Sequence, residues 1–425
     1  MKKKGALLAL FVAFVSASRI VWFMPQLGNG YYLLVAAVLL FLLSRNKTND
    51  LKITMQGAWL FVVCALSILL NDVPSFYRPW VRFALFCTVT LLVGPFLQGQ
   101  ILNLFRKFFF WDTLLFYTVI GLVSFLGRFA GISHVQGNYW CGITNHSMIM
   151  GIVAGNAGVY LLTLMTSLKR LTSKQRWIIG GILGLCLLMM LGAASRSAIL
   201  AFLVGGTVTL FVSMRQHRIR ILKIGAVAFV VLFFLAPLLD QYTAGIRQKN
   251  HGNVMALDVT SRTSLWERTW QIFSDNPWVG IGFSAMEIDT GENVTYNDVT
   301  TNSMVNGQVE PGSSWLAVLS MTGLFGGMAV VLVLKRSLRQ LRSIYKNNIP
   351  IAATLYGLLA FYVVHMCAEG YIFAGGSMSC LNFWLLLGTI DAYATDDRLH
   401  RGVSSNLEDM NGFLALFKFS RKTIA

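Results

Sequence analysis

Apolar stretches separated by short charged or turn-rich breaks recur along nearly the whole chain. Read as helices, they fall at 5–23, 30–43, 53–70, 83–97, 108–127, 146–167, 177–193, 197–213, 222–239, 313–334, 351–373 and 377–393. Several reach the roughly 20 residues that a helix needs to cross a hydrocarbon core. The pattern predicts an all-α integral membrane protein of about twelve transmembrane helices, with one large outer loop late in the chain. The organisation is then 1–239 for helices one to nine, 240–312 for the loop folded as a small cap, 313–393 for helices ten to twelve, and 394–425 for a cytoplasmic tail.

Composition sharpens this picture. Of 425 residues 55% are hydrophobic and 12% charged, half the roughly 25% charge of soluble domains, which excludes a soluble enzyme, a secreted scaffold and a nucleic-acid binder. Met1-Lys2-Lys3-Lys4 and the apolar run after it resemble a signal peptide. The run contains Arg19 and no small-x-small cleavage site precedes a soluble domain, so it reads as the first span. The six cysteines are scattered without a CxxC or a metal-like spacing, so neither a disulfide framework nor a metal site is expected. No Walker loop, HExxH or GxSxG occurs, which gives ATP hydrolysis, zinc proteolysis and serine hydrolysis of those kinds no support.

Charge supplies an independent check on the span count, because cytoplasmic loops collect Lys and Arg. With both termini cytoplasmic, 26 of the 35 cations fall on the inner side. The other nine are Arg19, Arg78, Arg82, Arg128, Arg196, Arg247, Lys249, Arg262 and Arg268, in or against the membrane on the outer side. Cations so placed are where function is to be sought.

The loop holds nine of the eighteen acids. Its middle, 261–273, reads as a helix with Leu265, Trp266, Thr269, Trp270 and Phe273 on one face, ended by Pro277, Gly280 and Gly282. Arg196 lies between two apolar runs in a turn so short that it sits at the membrane edge, either snorkelling or clamping a phosphate with its bidentate fork. Arg262 and Arg268 are six apart on the loop helix, and Arg78 and Arg82 share one face of the fourth helix, where lipid headgroups are an equal alternative to substrate. Glu310 stands where the chain re-enters the membrane before Ser313, Ser314 and Trp315; it serves either as a dipole-complementing acid or as a general base. His365 and Glu369, four apart in the eleventh helix, form an intramembrane pair suited to a structural hydrogen bond or to catalysis.

Three elements carry a family resemblance. Ala194-Ser195-Arg196-Ser197-Ala198, the run from Arg262 through Leu265-Trp266 to Pro277, Gly280 and Gly282, and Ser314-Trp315-Leu316 through Gly323 to Gly326 together resemble motifs of the bacterial O-antigen ligase and polymerase superfamily. One departure stands out. The family's His-Asn pair falls here on Gly312 and Ser313, leaving Glu310, two residues away, as the replacement base.

The resemblance implies a metal- and ATP-independent glycosyltransferase of the bacterial inner membrane, without cofactor. It would move an oligosaccharide from a polyprenyl diphosphate carrier to an acceptor at the outer face. Arg196 and Arg262 would hold the diphosphate with Glu310 as base, while Arg268, Arg78, Arg82, Ser313, Ser314 and Trp315 would contact substrate. The missing histidine favours a polymerase extending O-antigen or exopolysaccharide, with a chain-length regulator as a possible partner. The alternatives are a ligase delivering the glycan to the lipid A core of lipopolysaccharide and, in another class, a flippase of lipid-linked glycan. Few charged residues line a path through the spans, and no internal repeat is visible, which tells against the flippase.

Overall fold

A computed structural model describes residues 2–25, 27–46, 50–73, 75–136, 139–167, 171–214, 260–285 and 312–395. The ninth apolar stretch 222–239, much of the 240–312 loop and the tail beyond 395 lie outside the described residues. So does Glu310.

The described chain is helical, with two short β-ribbons. Its helices are α1 (Lys2–Ser18), α2 (Gly30–Arg45), α3 (Met55–Leu70), α4 (Pro79–Val93), α5 (Gln100–Phe129), α6 (Ser147–Ser167), α7 (Ser173–Gly192), α8 (Arg196–Ser213), α9 (Thr260–Asp275), α10 (Ser314–Asn347), α11 (Ile349–His365) and α12 (Met378–Ala394). All but α9 overlie apolar stretches expected from the sequence. Five of them, α5, α6, α7, α8 and α10, are long and apolar enough to cross a membrane, as expected of a multi-pass, all-α membrane protein.

Even-numbered helices begin at one end of the bundle, here called upper, and α1, α3, α5, α7 and α11 begin at the lower end. α8 lies along α11 and α6, α5 lies against α1, α6 and α12, and α10 packs on α3, α11 and α12.

The lower end is closed by buried charge. β1 (Lys52–Ile53) pairs with β2 (Leu97–Gln98) in an antiparallel ribbon. Just inside it, the Arg106 guanidinium is fully buried and donates to the Leu91, Leu92 and Leu97 carbonyls at 2.8, 2.8 and 2.7 Å. These include carbonyls that the C-terminus of α4 leaves without helical donors. Lys107 Nζ lies 4.5 Å from the centre of the Tyr393 ring. The expected spans 83–97 and 108–127 leave both cations in the inner segment between them. Instead, α5 begins at Gln100 and carries them inward, because carbonyls and a π-face replace their water. Asp391, also fully buried, accepts from Arg336 Nη2 at 2.6 Å, from Gln340 Nε2 at 2.6 Å and from Gln98 Nε2 at 3.0 and 3.1 Å, binding α10, α12 and β2 together.

α11 departs from the expected 351–373. It stops at His365, so Glu369 does not share its face and the His365–Glu369 helical pair is not formed. The cause is local. Ser314 Oγ accepts the Tyr371 and Ile372 amides at 2.9 and 3.3 Å and donates to the Glu369 carbonyl at 2.6 Å, offering these backbone groups an alternative to the helix ladder.

Candidate functional site at the upper end

α7 and α8 are joined by Ala193, Ala194 and Ser195, with Ala194 at φ 51°. An alanine in the left-handed region costs about 1–2 kcal/mol. The tight turn makes Arg196 the first residue of α8, partly exposed at the positive end of the helix dipole. The next residue, Ser197, places Oγ 3.5 Å from His365 Nε2, and the other ring nitrogen, Nδ1, lies 3.1 Å from the Tyr371 hydroxyl. The imidazole is buried and stacks on Phe361, with planes 8° apart and centroids 5.6 Å apart. Burial pushes the Tyr371 phenol well above its ordinary range, so it stays protonated beside the imidazole. Thus the ends of α8, α10 and α11 and the 366–372 stretch converge next to Arg196.

Ser313 and Ser314 are buried, and their hydroxyls are engaged within this convergence: Ser313 donates to the Met366 carbonyl at 3.2 Å, and Ser314 holds the 369–372 backbone. Trp315 Nε1 donates to the Val363 carbonyl at 3.2 Å. These three residues shape the wall of the site rather than leaving their polar groups open to it.

α9 lies against α10 and continues into a turn that locks onto it. Trp266 Nε1 donates to the Gly312 carbonyl at 3.0 Å, while Thr269 and Ile272 are buried. Trp270, expected on the packed face, is 53% exposed, because the inward stripe follows 265, 266, 269, 272 and 273. Arg268 is exposed on the other side. The side chain of Arg262 lies outside the described residues.

At Gly323 (φ 63°) α10 is broken, and the 277–282 stretch fills the break. An unbroken helix would bond Leu324 N–H to the Ser320 carbonyl and Phe325 N–H to the Met321 carbonyl. Here those amides donate to the Pro277 and Trp278 carbonyls at 2.8 and 3.4 Å, and the freed Ser320 and Met321 carbonyls accept Ile281 and Gly282 N–H at 2.9 and 3.1 Å. All four backbone groups are therefore satisfied across two segments about forty residues apart in sequence. A Cβ on Gly280 would lie 2.4 Å from the Ser320 oxygen. The two glycine-bearing motifs are thus halves of one joint.

Residues 179–331 match the O-antigen ligase family. The matched region holds both halves of the joint, together with Arg196, α9 and the re-entry into α10. It bears out the resemblance to the O-antigen ligase and polymerase superfamily and supports glycosyl transfer between lipid-linked glycan and acceptor in a membrane. No curated protein matches the chain.

Of the matched residues, Ser197, next to Arg196, reaches His365, and Ser314 holds the Tyr371 amide, both partners lying beyond the match. Outside that region, Arg82 of α4 donates from Nη1 to Ser284 Oγ at 2.7 Å, directly after the joint. Arg78, at the N-cap of α4, is exposed and left-handed at φ 49°. Arg19 and Arg128, two more of the cations expected on the outer side, lie over aromatic rings: Arg19 is 4.0 Å from the Tyr31 centroid and donates to the Gly376 carbonyl, and Arg128 is 4.8 Å from that of Trp140. Sequence reading did not find the contact of His365 with Ser197, or that of Arg82 with Ser284. Each joins residues more than 160 positions apart, and no local pattern signals them. The glycines at 280, 282 and 323 were the readable part of the joint.

Proposed function

We propose that this chain transfers oligosaccharide repeat units from a polyprenyl diphosphate carrier to a growing glycan at the outer face of the bacterial inner membrane. The observation that carries the reading is Arg196, on the strained turn that opens α8, beside the Ser197–His365–Tyr371 cluster and inside the O-antigen ligase match.

The diphosphate is a competent leaving group, so the transfer needs no ATP. What the protein supplies is cationic stabilisation of the departing phosphates, removal of the acceptor proton and proximity. In this reading Arg196 and Arg262 take the diphosphate and Arg268 assists. Glu310 accepts the acceptor proton. His365 acts through Ser197 as a positioning residue for the start of α8, and Ser313, Ser314 and Trp315 hold the 363–372 wall. Polymerisation is favoured over ligation to lipid A core because Gly312 stands where the ligase motif carries histidine.

The test is a glycan ladder from a deletion strain complemented with wild type, Arg196→Ala or Glu310→Gln at matched membrane levels. A polymerase deficit leaves single repeat units on the final acceptor. A ligase deficit leaves long chains on the carrier. An unchanged ladder in both variants overturns the residue assignment.

A further inference from the structure

In the proposed function Arg196 takes one anion, the donor diphosphate. The same end of the bundle carries a second cationic position, Arg82, for which the sequence leaves substrate and lipid headgroup as equal alternatives. Arg82 is partly buried one turn into α4, and its hydrogen bond among the described residues goes to the neutral Ser284 hydroxyl. No carboxylate among the described residues pairs with it. A guanidinium taken partly out of water beside a neutral partner keeps its charge uncompensated, which favours an anion in the remaining space. Arg78, one turn earlier on the same face, adds to the positive potential.

The guanidinium is held in a built setting. Ser284 is buried at φ 71°; with Arg78 and Ala194 it completes the set of non-glycine residues with positive φ among the described residues. Each costs on the order of 1–3 kcal/mol, and such outliers persist where surrounding structure holds them. What holds Ser284 is Phe283, fully buried against Phe83, Phe86 and Phe373 at 5.8, 5.6 and 5.2 Å between ring centroids. Among the described residues one of the five N–H groups of Arg82 goes to Ser284. Trp80 and Val81 beside it are 48% and 57% exposed, as at an interface with lipid.

Phe373 also connects this position to the first. From Phe283 the contacts run through Phe373 to the Tyr371 stretch, then through His365 to Ser197 and Arg196. Residues 371–373 thus link the Arg82–Ser284 pair to the start of α8.

We propose that Arg82 and Ser284 form a second phosphate subsite, for a phosphate ester borne by a membrane lipid, linked through residues 371–373 to the start of α8. The pairing of two subsites rests on the reading of Arg196 given above; the Arg82 subsite stands on its own geometry. A site with two lipid phosphates suits a transfer in which donor and acceptor both arrive on lipids.

The experiment is calorimetric titration of the full chain, in phosphatidylcholine nanodiscs, with geranyl diphosphate. Wild type is expected to bind two molecules per chain, and Arg82→Gln and Arg196→Gln one each. Ser284→Ala should weaken the Arg82-dependent molecule by about tenfold, the loss of one charge-assisted hydrogen bond. Should Arg82→Gln fail to fold, Ser284→Ala and Arg82→Lys carry the same comparison. Two molecules on every Arg82 and Ser284 variant, or a single wild-type molecule that only Arg196→Gln removes, overturns the second subsite and leaves the proposed function standing. Loss in Arg82→Gln with none in Arg196→Gln keeps the subsite and overturns the role of Arg196. Repeating the titration with phosphatidylglycerol in the disc separates the two sources: displacement of the Arg82-dependent molecule assigns the phosphate to a phospholipid headgroup, and its retention assigns it to a carrier-lipid diphosphate.

Discussion

Gly323 of α10 rests directly on the backbone of Trp278: a Cβ built on the glycine would stand 2.2 Å from both the carbonyl carbon and the carbonyl oxygen. Nothing larger than hydrogen fits, and at φ 63° the conformation itself disfavours a side chain. Gly323→Ala should therefore open the joint and destabilise the protein by about 3 kcal/mol or more, read as a lowered thermal midpoint in detergent. Gly184→Ala is the control. A Cβ there meets nothing within 4 Å in the middle of α7, and that variant should be neutral or gain up to about 1 kcal/mol. Equal midpoints for the two variants would remove the joint from the account.

The lower-end cluster makes a separate demand. Asp391→Ala leaves Arg336 without its carboxylate and two glutamines without their acceptor. A cost of about 3–5 kcal/mol is expected for breaking such a buried pair from one side. Arg336→Met combined with Asp391→Leu should recover part of it, since two apolar groups need no partner. A double variant no more stable than Asp391→Ala would show that the cluster is not held by that pair.

At the upper end, His365→Gln and Ser197→Ala should shorten the glycan ladder while protein levels in the membrane stay at wild type. Positioning through a 3.5 Å contact predicts a graded loss, with the histidine change the larger because it also releases Tyr371. His365→Gln with a full-length ladder would detach the imidazole from the site.

For Arg196 the informative comparison is with lysine. A point charge preserves the electrostatics but not the planar fork that grips two phosphate oxygens. Arg196→Lys should thus remain far below wild type in transfer rate, with Arg196→Ala lower still. Full activity in the lysine variant would reduce the arginine to a long-range charge.

Much of the fold was legible in the chain. The eleven apolar stretches that fall within the described residues all carry helices, because a long apolar run leaves an unbroken signature in hydropathy. Boundaries were less legible wherever a polar group found an unforeseen partner. α5 starts early because Arg106 reaches the carbonyls behind α4, and α11 stops early because Ser314 captures the Tyr371 amide. Within the site, Arg196 and the paired glycines stood out locally, whereas the neighbours of His365 and Arg82 come from distant segments that only folding brings together. Ser313 and Ser314, read as substrate contacts, turn out to spend their hydroxyls on backbone, a commitment that composition does not reveal.

The break in α10 has a mechanical consequence. Below Gly323 the helix is a post, moored at Arg336 to Asp391 and through it to α12. Above it, the turns from Ser314 to Thr322 are fastened to the 277–282 stretch and to the 366–372 wall. The 277–282 stretch is bonded on both sides of the glycine, so a push on the post would reach the wall around His365 through that stretch as well as along α10. The geometry beside Arg196 is thereby coupled to the bundle beneath it.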